Sequence, residues 1–570
     1  MSLGHLNKIY GSLVLAGESE MDFSVDAGLP LFWQRTYTSN NPDSAWLGRG
    51  WTLPMSFRIE VESSAFVFID AFGRRTRFPR LAIGDAFFSP YEHTTLSRPQ
   101  RNLLELLSPD GLRLVFGLGP ADIANLGERE AAEAREAEAF NAAVARLAQQ
   151  QGLDPSALAD GGADQRPPQA DTLVLIGLID PNGHWLRLHY TPDGLPQVIE
   201  TSDGQHVGLN FRHDIAGNQT RLVEVLELIG TPDATGRFAS SARLVEYRYS
   251  AEGDLSEVVD DQGQVVRSFR YAAGQMVEQG EPGGVSVHYD WDQLSPKGRV
   301  LCARSSLGEV QRFEYDLLTR ETRVSDGEVR VTTYRYSEQQ HLIALITPDG
   351  AETHYQRDIH GNLLSVTDPL GRVTRHSYDG RGNLIRVEQP DGADWNLRYH
   401  PQHRKPVQIT DPLGQRTHFE FDARGNLIQS QTADGAITRY TLDAQGRPVH
   451  VLDARGGESI LQYDAAGRLI ARRDCVGSTT RFEYDRRGNL LRAIDALGGI
   501  THYQYQRINR RDRVVAMTHP DGAVERFAYD PLGRLIAHHD PQGHATRYVL
   551  DPAGRPSARE HALGQRLGCR

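Results

Sequence analysis

The sequence predicts an all-β fold, a spiralling antiparallel sheet of β-hairpin repeats, on three observations. Glycines recur about every 21 residues through the second half of the 570-residue chain, at Gly361, Gly382, Gly425, Gly446, Gly467 and Gly488, then at Gly533 and Gly554. A second series keeps the same pitch between them, through Gly350, Gly371, Gly392, Gly414, Gly435, Gly456, Gly477, Gly498, Gly522 and Gly543. Between glycines the residues alternate apolar and polar, which is the period of a strand. Two interleaved turn series at one pitch make each repeat two strands and two turns, the unit of a hairpin ribbon.

Residues 1–118 read as a β-rich opening module. Leu31, Trp33 and Tyr37 mark a half-buried strand there, and Gly48 and Gly50 loosen the loop before Trp51. Residues 119–171 break the pattern. Glu128 to Gln151 is rich in helix formers, with Phe140, Val144 and Leu147 on one stripe and Gly152 as a stop, so a helix is expected. Asp154-Pro155 can start a second short helix, and Gly161 to Ala170 reads as a linker. This small helical insertion reads either as a surface spacer or as a contact for a secretion partner or cargo. Residues 172–340 hold degenerate repeats (Tyr249 to Gly253, Tyr271 to Gly274, Tyr289-Asp290), and 341–570 hold regular ones.

One regular repeat shows the physics. In Thr480-Arg481-Phe482-Glu483-Tyr484 the first, third and fifth side chains share a face, and Arg481 and Glu483 take the other. Thr374/His376/Tyr378, Thr417/Phe419/Phe421, Thr438/Tyr440/Leu442, Thr501/Tyr503/Tyr505 and Thr546/Tyr548/Leu550 keep that register. One face is therefore an aromatic stripe, expected to pack and pair across strands rather than to stack a ligand. After each aromatic an Asp caps the turn and a Gly supplies positive φ. The repeat motif residues are Tyr378, Asp379 and Gly382; Phe421, Asp422 and Gly425; Tyr463, Asp464 and Gly467; Tyr484, Asp485 and Gly488; and Tyr529, Asp530 and Gly533. Adjacent strands twist by roughly −20 to −25°, so a long ribbon must spiral. A filled core and a central cavity both satisfy that requirement.

Composition narrows the function. A chain this long forms several domains or one extended repeat array. The 62 basic and 74 acidic residues leave a net charge of −12, which opposes non-specific binding to nucleic acid or anionic membrane. Cys302, Cys475 and Cys569 are too few and too widely spaced to staple the chain. There is no long apolar run and no charged-then-apolar leader. No membrane span is expected, and export would use a dedicated machine without a cleavable signal peptide.

Tyr463-Asp464-Ala465-Ala466-Gly467-Arg468-Leu469, Tyr484-Asp485-Arg486-Arg487-Gly488-Asn489-Leu490 and Tyr529-Asp530-Pro531-Leu532-Gly533-Arg534-Leu535 resemble the YD repeats of Rhs proteins. Asp368-Pro369-Leu370-Gly371 and Asp411-Pro412-Leu413-Gly414 fit the same pattern. Asp22-Phe23-Ser24, the run from Leu29 to Ser39, Leu47-Gly48-Arg49-Gly50-Trp51 and Asp70-Ala71-Phe72-Gly73-Arg74 resemble the module that opens many Rhs cores and helps plug one end. The resemblance implies a β-cocoon segment of a polymorphic toxin used in bacterial competition. Such a shell encloses a C-terminal toxin or other cargo and delivers it, often as a type VI secretion system effector. It would reside in the bacterial cytoplasm before export. The expected partners are that cargo and the secretion spike proteins, with the toxin and spike domains lying outside this chain.

Little in the sequence points to catalysis. No nucleophile motif or phosphate loop stands out, and no catalytic residue, cofactor or metal is assigned. His400-Pro401-Gln402-His403 and His538-His539 come nearest to a metal cluster, yet neither has an evident third ligand. Many Rhs proteins carry an aspartyl self-cleavage site around Asp-Pro-x-Gly-Leu, where paired carboxylates activate water. Here Asp530-Pro531-Leu532-Gly533 and Asp551-Pro552-Ala553-Gly554 are each followed by Arg. A structural, non-enzymatic shell is the leading expectation. A glycan- or surface-binding YD-repeat module is the first alternative and an aspartyl autoprotease the second.

Overall fold

The computed structural model describes residues 6–8, 10–119, 171–215, 219–230, 232–233, 238–327, 330–551, 554–561 and 565–568. The expected helical insertion, Pro552-Ala553 and Cys569 lie outside them. The described residues contain no α-helix; two 3-10 turns, Glu18–Glu20 and Pro54–Ser56, are the helical elements among them.

A single antiparallel sheet runs through the chain, each strand pairing with the next from Ala86–Ser89 to Arg566–Gly568. Arg58–Val61 pairs with Ala65–Ile69 and also with Thr172–Ile179, which closes the first strands into a ring before the ribbon continues. The two ladders of a repeat differ. Arg473↔Thr479, Arg472↔Thr480 and Ala471↔Arg481 run in plain register. Across the Tyr-Asp turn, Phe482↔Ala493 and Glu483↔Arg492 are followed by a bulge that brings Tyr484 opposite Leu490. The same bulge sets Tyr378 against Leu384, Phe421 against Leu427, Tyr463 against Leu469 and Tyr529 against Leu535. A bulge bends its strand and adds twist, so one bulge per repeat bends the ribbon steadily in one sense.

The curvature brings the ribbon back onto itself. His93 Nδ1 lies 3.2 Å from the Arg381 carbonyl, 288 residues on. Asn426 Nδ2 donates to Asn182 Oδ1 at 2.8 Å across 244 residues, and Arg486 pairs with Glu227 at 2.8 Å. Turn tips of the second winding make these contacts with turns and, at Glu227, a strand of the first, so the second winding stacks on the first along a seam of side chains.

The first part of the opening module, residues 6–57, lies against the aromatic face of the first winding, whereas its strands from Arg58–Val61 onward belong to the sheet itself. Trp33 and Trp51 are fully buried, and their indole N–H groups donate to the Tyr247 and Tyr271 hydroxyls at 2.8 Å. Phe269, Tyr289 and Phe313 are buried on the same face. The stripe therefore packs as expected in the first winding. In the second it packs only in part: Phe419, Phe421, Tyr440, Phe482, Tyr484, Tyr503 and Tyr529 are half-buried, while alternate residues such as Arg481 and Glu483 are exposed. Beyond Ala344, the buried apolar residues among those described are Ala516 and Ala558. The physical reason is coverage, because the module reaches the strands of the first winding and leaves the same face of the second without a packed layer.

This difference sets a stability test. Phe269→Ala, under the Trp51 ring at 4.9 Å, is expected to cost about 3–5 kcal/mol. Phe482→Ala is expected to cost roughly half as much, in line with the apolar area it hides. Denaturant unfolding of the two variants measures both; equal costs would contradict the difference between windings.

Candidate functional site

The repeat turn is built around its aspartate. At Asp379 the Gly382 N–H donates to the Asp379 carbonyl at 3.0 Å, and the Asp379 N–H to the Asn383 carbonyl at 3.0 Å. Asp379 Oδ1 accepts the backbone N–H groups of Arg381 and Asn383 at 2.9 Å, and Oδ2 accepts Asn383 Nδ2 at 2.8 Å. Gly382 closes the loop at φ +74°, a conformation an L side chain resists. Asp422, Asp464, Asp485 and Asp530 hold their turns in the same way, with Gly425, Gly467, Gly488 and Gly533 at φ between +75° and +87°.

The tyrosine ties each repeat to the one before it. Tyr378 Oη donates to the Leu363 carbonyl at 3.0 Å, Tyr463 to Pro448 at 2.9 Å, Tyr484 to Leu469 at 2.8 Å and Tyr529 to Val514 at 2.9 Å. Each acceptor lies fifteen residues back and is the residue at which the preceding ladder bulges. The hydroxyl thus satisfies a carbonyl where the ladder is disrupted. Burial pushes these phenols above their ordinary pKa. Phe421 has no hydroxyl to give, and Lys405 Nζ sits 5.8 Å over its ring instead.

The residue after the glycine completes the link. Arg468 Nε donates to Asp464 Oδ2 at 2.7 Å, its Nη1 to the Asp485 carbonyl at 2.8 Å, and its guanidinium lies 5.3 Å over the Tyr484 ring. Arg447 repeats this with Asp443, Asp464 and Tyr463. Sequence reasoning missed both the tyrosine bond and this arginine. The signal available was the recurring Arg or Asn after Gly and the constant spacing from Leu to Tyr.

The two glycine series lie on different rims. A Cβ added at Gly382, Gly446 or Gly488 would meet His93, Asn182 or Asp26, so this rim forms the seam. Around Gly350, Gly371, Gly392, Gly414, Gly435, Gly456, Gly477, Gly498, Gly522 and Gly543 the space is open.

A buried ion cluster seats the opening module. Arg35 is fully buried; its Nε donates to Asp22 Oδ2 at 2.8 Å and its Nη2 lies 3.0 Å from Glu20 Oε2. Burial works against the Arg35 charge, yet Asp22 and Glu20 hold its pKa above the ordinary value. Arg267 pairs with the other Glu20 oxygen, and Tyr247 Oη donates to Asp22 Oδ2 at 2.6 Å. Arg510, from the second winding, reaches Asp22 Oδ1 at 3.2 Å. Buried charges require such partners, and each charge of the cluster faces an opposite one, while Arg35 Nη1 and Arg267 Nε make no hydrogen bond.

The histidines and aspartates considered for chemistry do not converge. The His400 and His403 rings stack at 4.6 Å, while His538 Nε2 bonds Glu525 Oε2 at 2.6 Å and His519 Nε2 bonds Glu525 Oε1 at 2.8 Å. Among the described residues no group of three or more His, Cys, Asp or Glu side chains is placed to hold a metal. Asp530 and Asp551 each bond the arginine of their own turn, at 2.6 Å and 2.8 Å.

Two outcomes follow for the turns. Tyr484→Phe is expected to leave the Leu469 carbonyl short of a donor and cost about 1 kcal/mol, seen as faster amide exchange in Leu469–Arg473 and Thr479–Tyr484. Asp368, held low by the Arg372 backbone N–H, and Asp349, held low by the Thr347 hydroxyl, have carboxyls below the usual range. Groups shifted this way stabilise the fold above the ordinary carboxylate pKa and lose that contribution as pH falls through their folded values. Melting temperature should therefore drop below about pH 4. A melting curve unchanged down to pH 2.5 would contradict the turn assignment.

Residues 7–78 match a family described as a domain of unknown function (DUF6531). Residues 357–394, 399–437, 421–458, 463–500, 509–544 and 529–566 match the RHS repeat. Toxin protein Tse5 of Pseudomonas aeruginosa is 32% identical over 377 residues, 63% of this chain and 26% of that protein. Double-stranded DNA deaminase toxin A of Burkholderia cenocepacia is 28% identical over 331 residues, 58% of this chain and 19% of that protein. The chain thus spans about a quarter or less of these relatives' length. Among solved structures, TcdB2-TccC3-TEV is 14% identical with a TM-score of 0.31, covering 93% of this chain and 32% of that one. The Photorhabdus luminescens Tc holotoxin pore is 12% identical with a TM-score of 0.26, covering 93% and 26%. Repeats matched in sequence from residue 357 to residue 566 and built on one recurring turn make this chain an Rhs/YD-repeat protein.

Proposed function

We propose that this chain is a wall of a toxin shell, which encloses a C-terminal toxin or other cargo and is exported with it by a type VI secretion-like machine. The observation that carries this reading is the change between windings. A face that is buried under the opening module at Tyr247 and Phe269 continues around the sheet as a half-buried surface at Phe419, Tyr440, Phe482 and Tyr503. That surface holds aromatics, threonines and few charges, among them Arg472, Glu525 and Arg559, whose ladder partners lie on the stripe. Such a wall suits a non-native or loosely packed polypeptide, which offers apolar groups without fixed geometry. The opposite face carries Arg481, Glu483, Arg492 and His502 and suits solvent. An outward-binding glycan module would place its aromatics on that face instead.

The relatives named as toxins support the reading, and cargo and spike partners would belong to parts beyond this chain. The role is structural, not enzymatic, and the protein would wait in the bacterial cytoplasm before export. No helix among the described residues is long and apolar enough to cross a membrane.

A direct test offers the purified chain an unfolded probe, reduced carboxymethylated α-lactalbumin, and follows its protection from protease. Protection is expected, with loss in Phe419→Asp/Phe482→Asp/Tyr503→Asp and retention in Arg481→Ala/Glu483→Ala. Equal loss in both variants, or no protection at all, would count against enclosure. Intact mass should stay single over days at acidic and neutral pH. A fragment that vanished in Asp530→Asn or Asp551→Asn would instead make the chain an autoprotease.

A further inference from the structure

The repeat pitch slips where the second winding reaches the opening module. Gly498 and Gly522 are 24 residues apart instead of 21, and the expected Tyr-Asp-x-x-Gly turn between them is missing. In its place the strands Ile500–Ile508 and Arg511–Thr518 meet at Asn509 and Arg510, which have φ of +48° and +65°. Two left-handed residues make a two-residue hairpin turn, normally the place of Asn and Gly; an Arg there is a strained choice. The first of these strands has nine residues where Thr479–Tyr484 has six, so the turn projects past its neighbours.

The projecting turn spends that strain on one contact. Arg510 Nη1 lies 3.2 Å from Asp22 Oδ1 and its Nη2 donates to the Ser19 carbonyl at 2.8 Å, with the Arg510 side chain 9% exposed and the Asp22 side chain 0%. Arg511 pairs with Glu18 at 2.7 Å beside it. Other seam pairs differ in exposure: Arg486 and its partner Glu227 are both open to water, at 58% and 32% exposed, whereas Asp261, which faces Arg487 and also Arg507 at 3.5 Å, is 7% exposed. Exposed pairs are screened by water and stabilise little, whereas a buried pair is costly to break. The seam is therefore weak at Arg486–Glu227 and strong where the Arg507–Arg511 turn meets Asp261 and Asp22.

We propose that the Arg507–Arg511 turn is a latch that holds the second winding closed on the opening module, so that the seam opens when Arg510 leaves Asp22. The arrangement is asymmetric in a way that suits a latch. Without Arg510, Asp22 keeps Arg35 and Tyr247 as partners, and Glu20 keeps Arg35 and Arg267. The module stays seated while the winding is freed. The inference rests on the fold and needs no cargo, so it stands or falls apart from the enclosure reading.

Amide hydrogen exchange on the full chain tests it. In Arg510→Ala, Leu490–Ile494, Ile500–Ile508, Arg511–Thr518 and Val524–Tyr529 are expected to exchange at least about tenfold faster, while Met21–Val25 and Leu31–Gln34 keep their protection. In Arg486→Ala the same strands should change by less than about fivefold, the equivalent of an exposed pair. Equal effects of the two variants would overturn the proposal. So would parallel loss of protection in Met21–Val25, which would make Arg510 part of the module's seat. Arg510→Gln serves as a second variant and should give the same local pattern; failure of both to fold would also overturn it, because Asp22 retains its other partners.

Discussion

A bulge beside each Tyr-Asp turn of the regular repeats governs this molecule. Of the two ladders in each regular repeat, one is plain and the other is bulged, as at Arg472↔Thr480 and then Tyr484↔Leu490. Bending on one side only gives the ribbon an inside and an outside. The disrupted carbonyl would be a liability, and the tyrosine of the next repeat takes it. The same residue therefore tolerates the bend and transmits it, which explains why the aromatic and the turn recur together. The arginine or asparagine after each glycine extends the link along the rim that forms the seam.

Closure of the ribbon leaves two windings with different interiors. In the first, Trp33, Tyr37 and Trp51 of the opening module fill the concave side, and the ion cluster of Glu20, Asp22, Arg35 and Arg267 is fully enclosed. A buried cluster of this kind adds little net stability over apolar packing, yet it is costly to disturb and so fixes one orientation of the module. The second winding has the same face and the same register but nothing packed on it among the described residues. Half-buried tyrosines and phenylalanines there keep cross-strand contacts while leaving room, a compromise that a solid core would not make.

Much of this was legible in the sequence. Glycine pitch gave the hairpins, alternation gave the faces, and the aspartate with glycine gave the turns, because each depends on local geometry that a few neighbouring residues decide. The interior was not legible, since Phe269 under the module and Phe482 on the open wall sit in the same pattern. What distinguishes them is a module more than two hundred residues away in sequence. Nor was the tyrosine bond, which joins residues on successive repeats through a carbonyl that carries no sequence identity. The slip in pitch before Gly522 was visible, whereas its partner, Asp22, lies 488 residues from Arg510.

Hydroxyl-radical footprinting tests the central claim most directly, that one aromatic face is filled in the first winding and open in the second. Phe419, Tyr440, Phe482 and Tyr503 are expected to oxidise at rates between those of exposed Tyr91 and buried Tyr247, with Trp33 and Trp51 fully protected. If the second-winding aromatics proved as protected as Trp33 and Tyr247, the wall would be packed and the account of an open interior wrong.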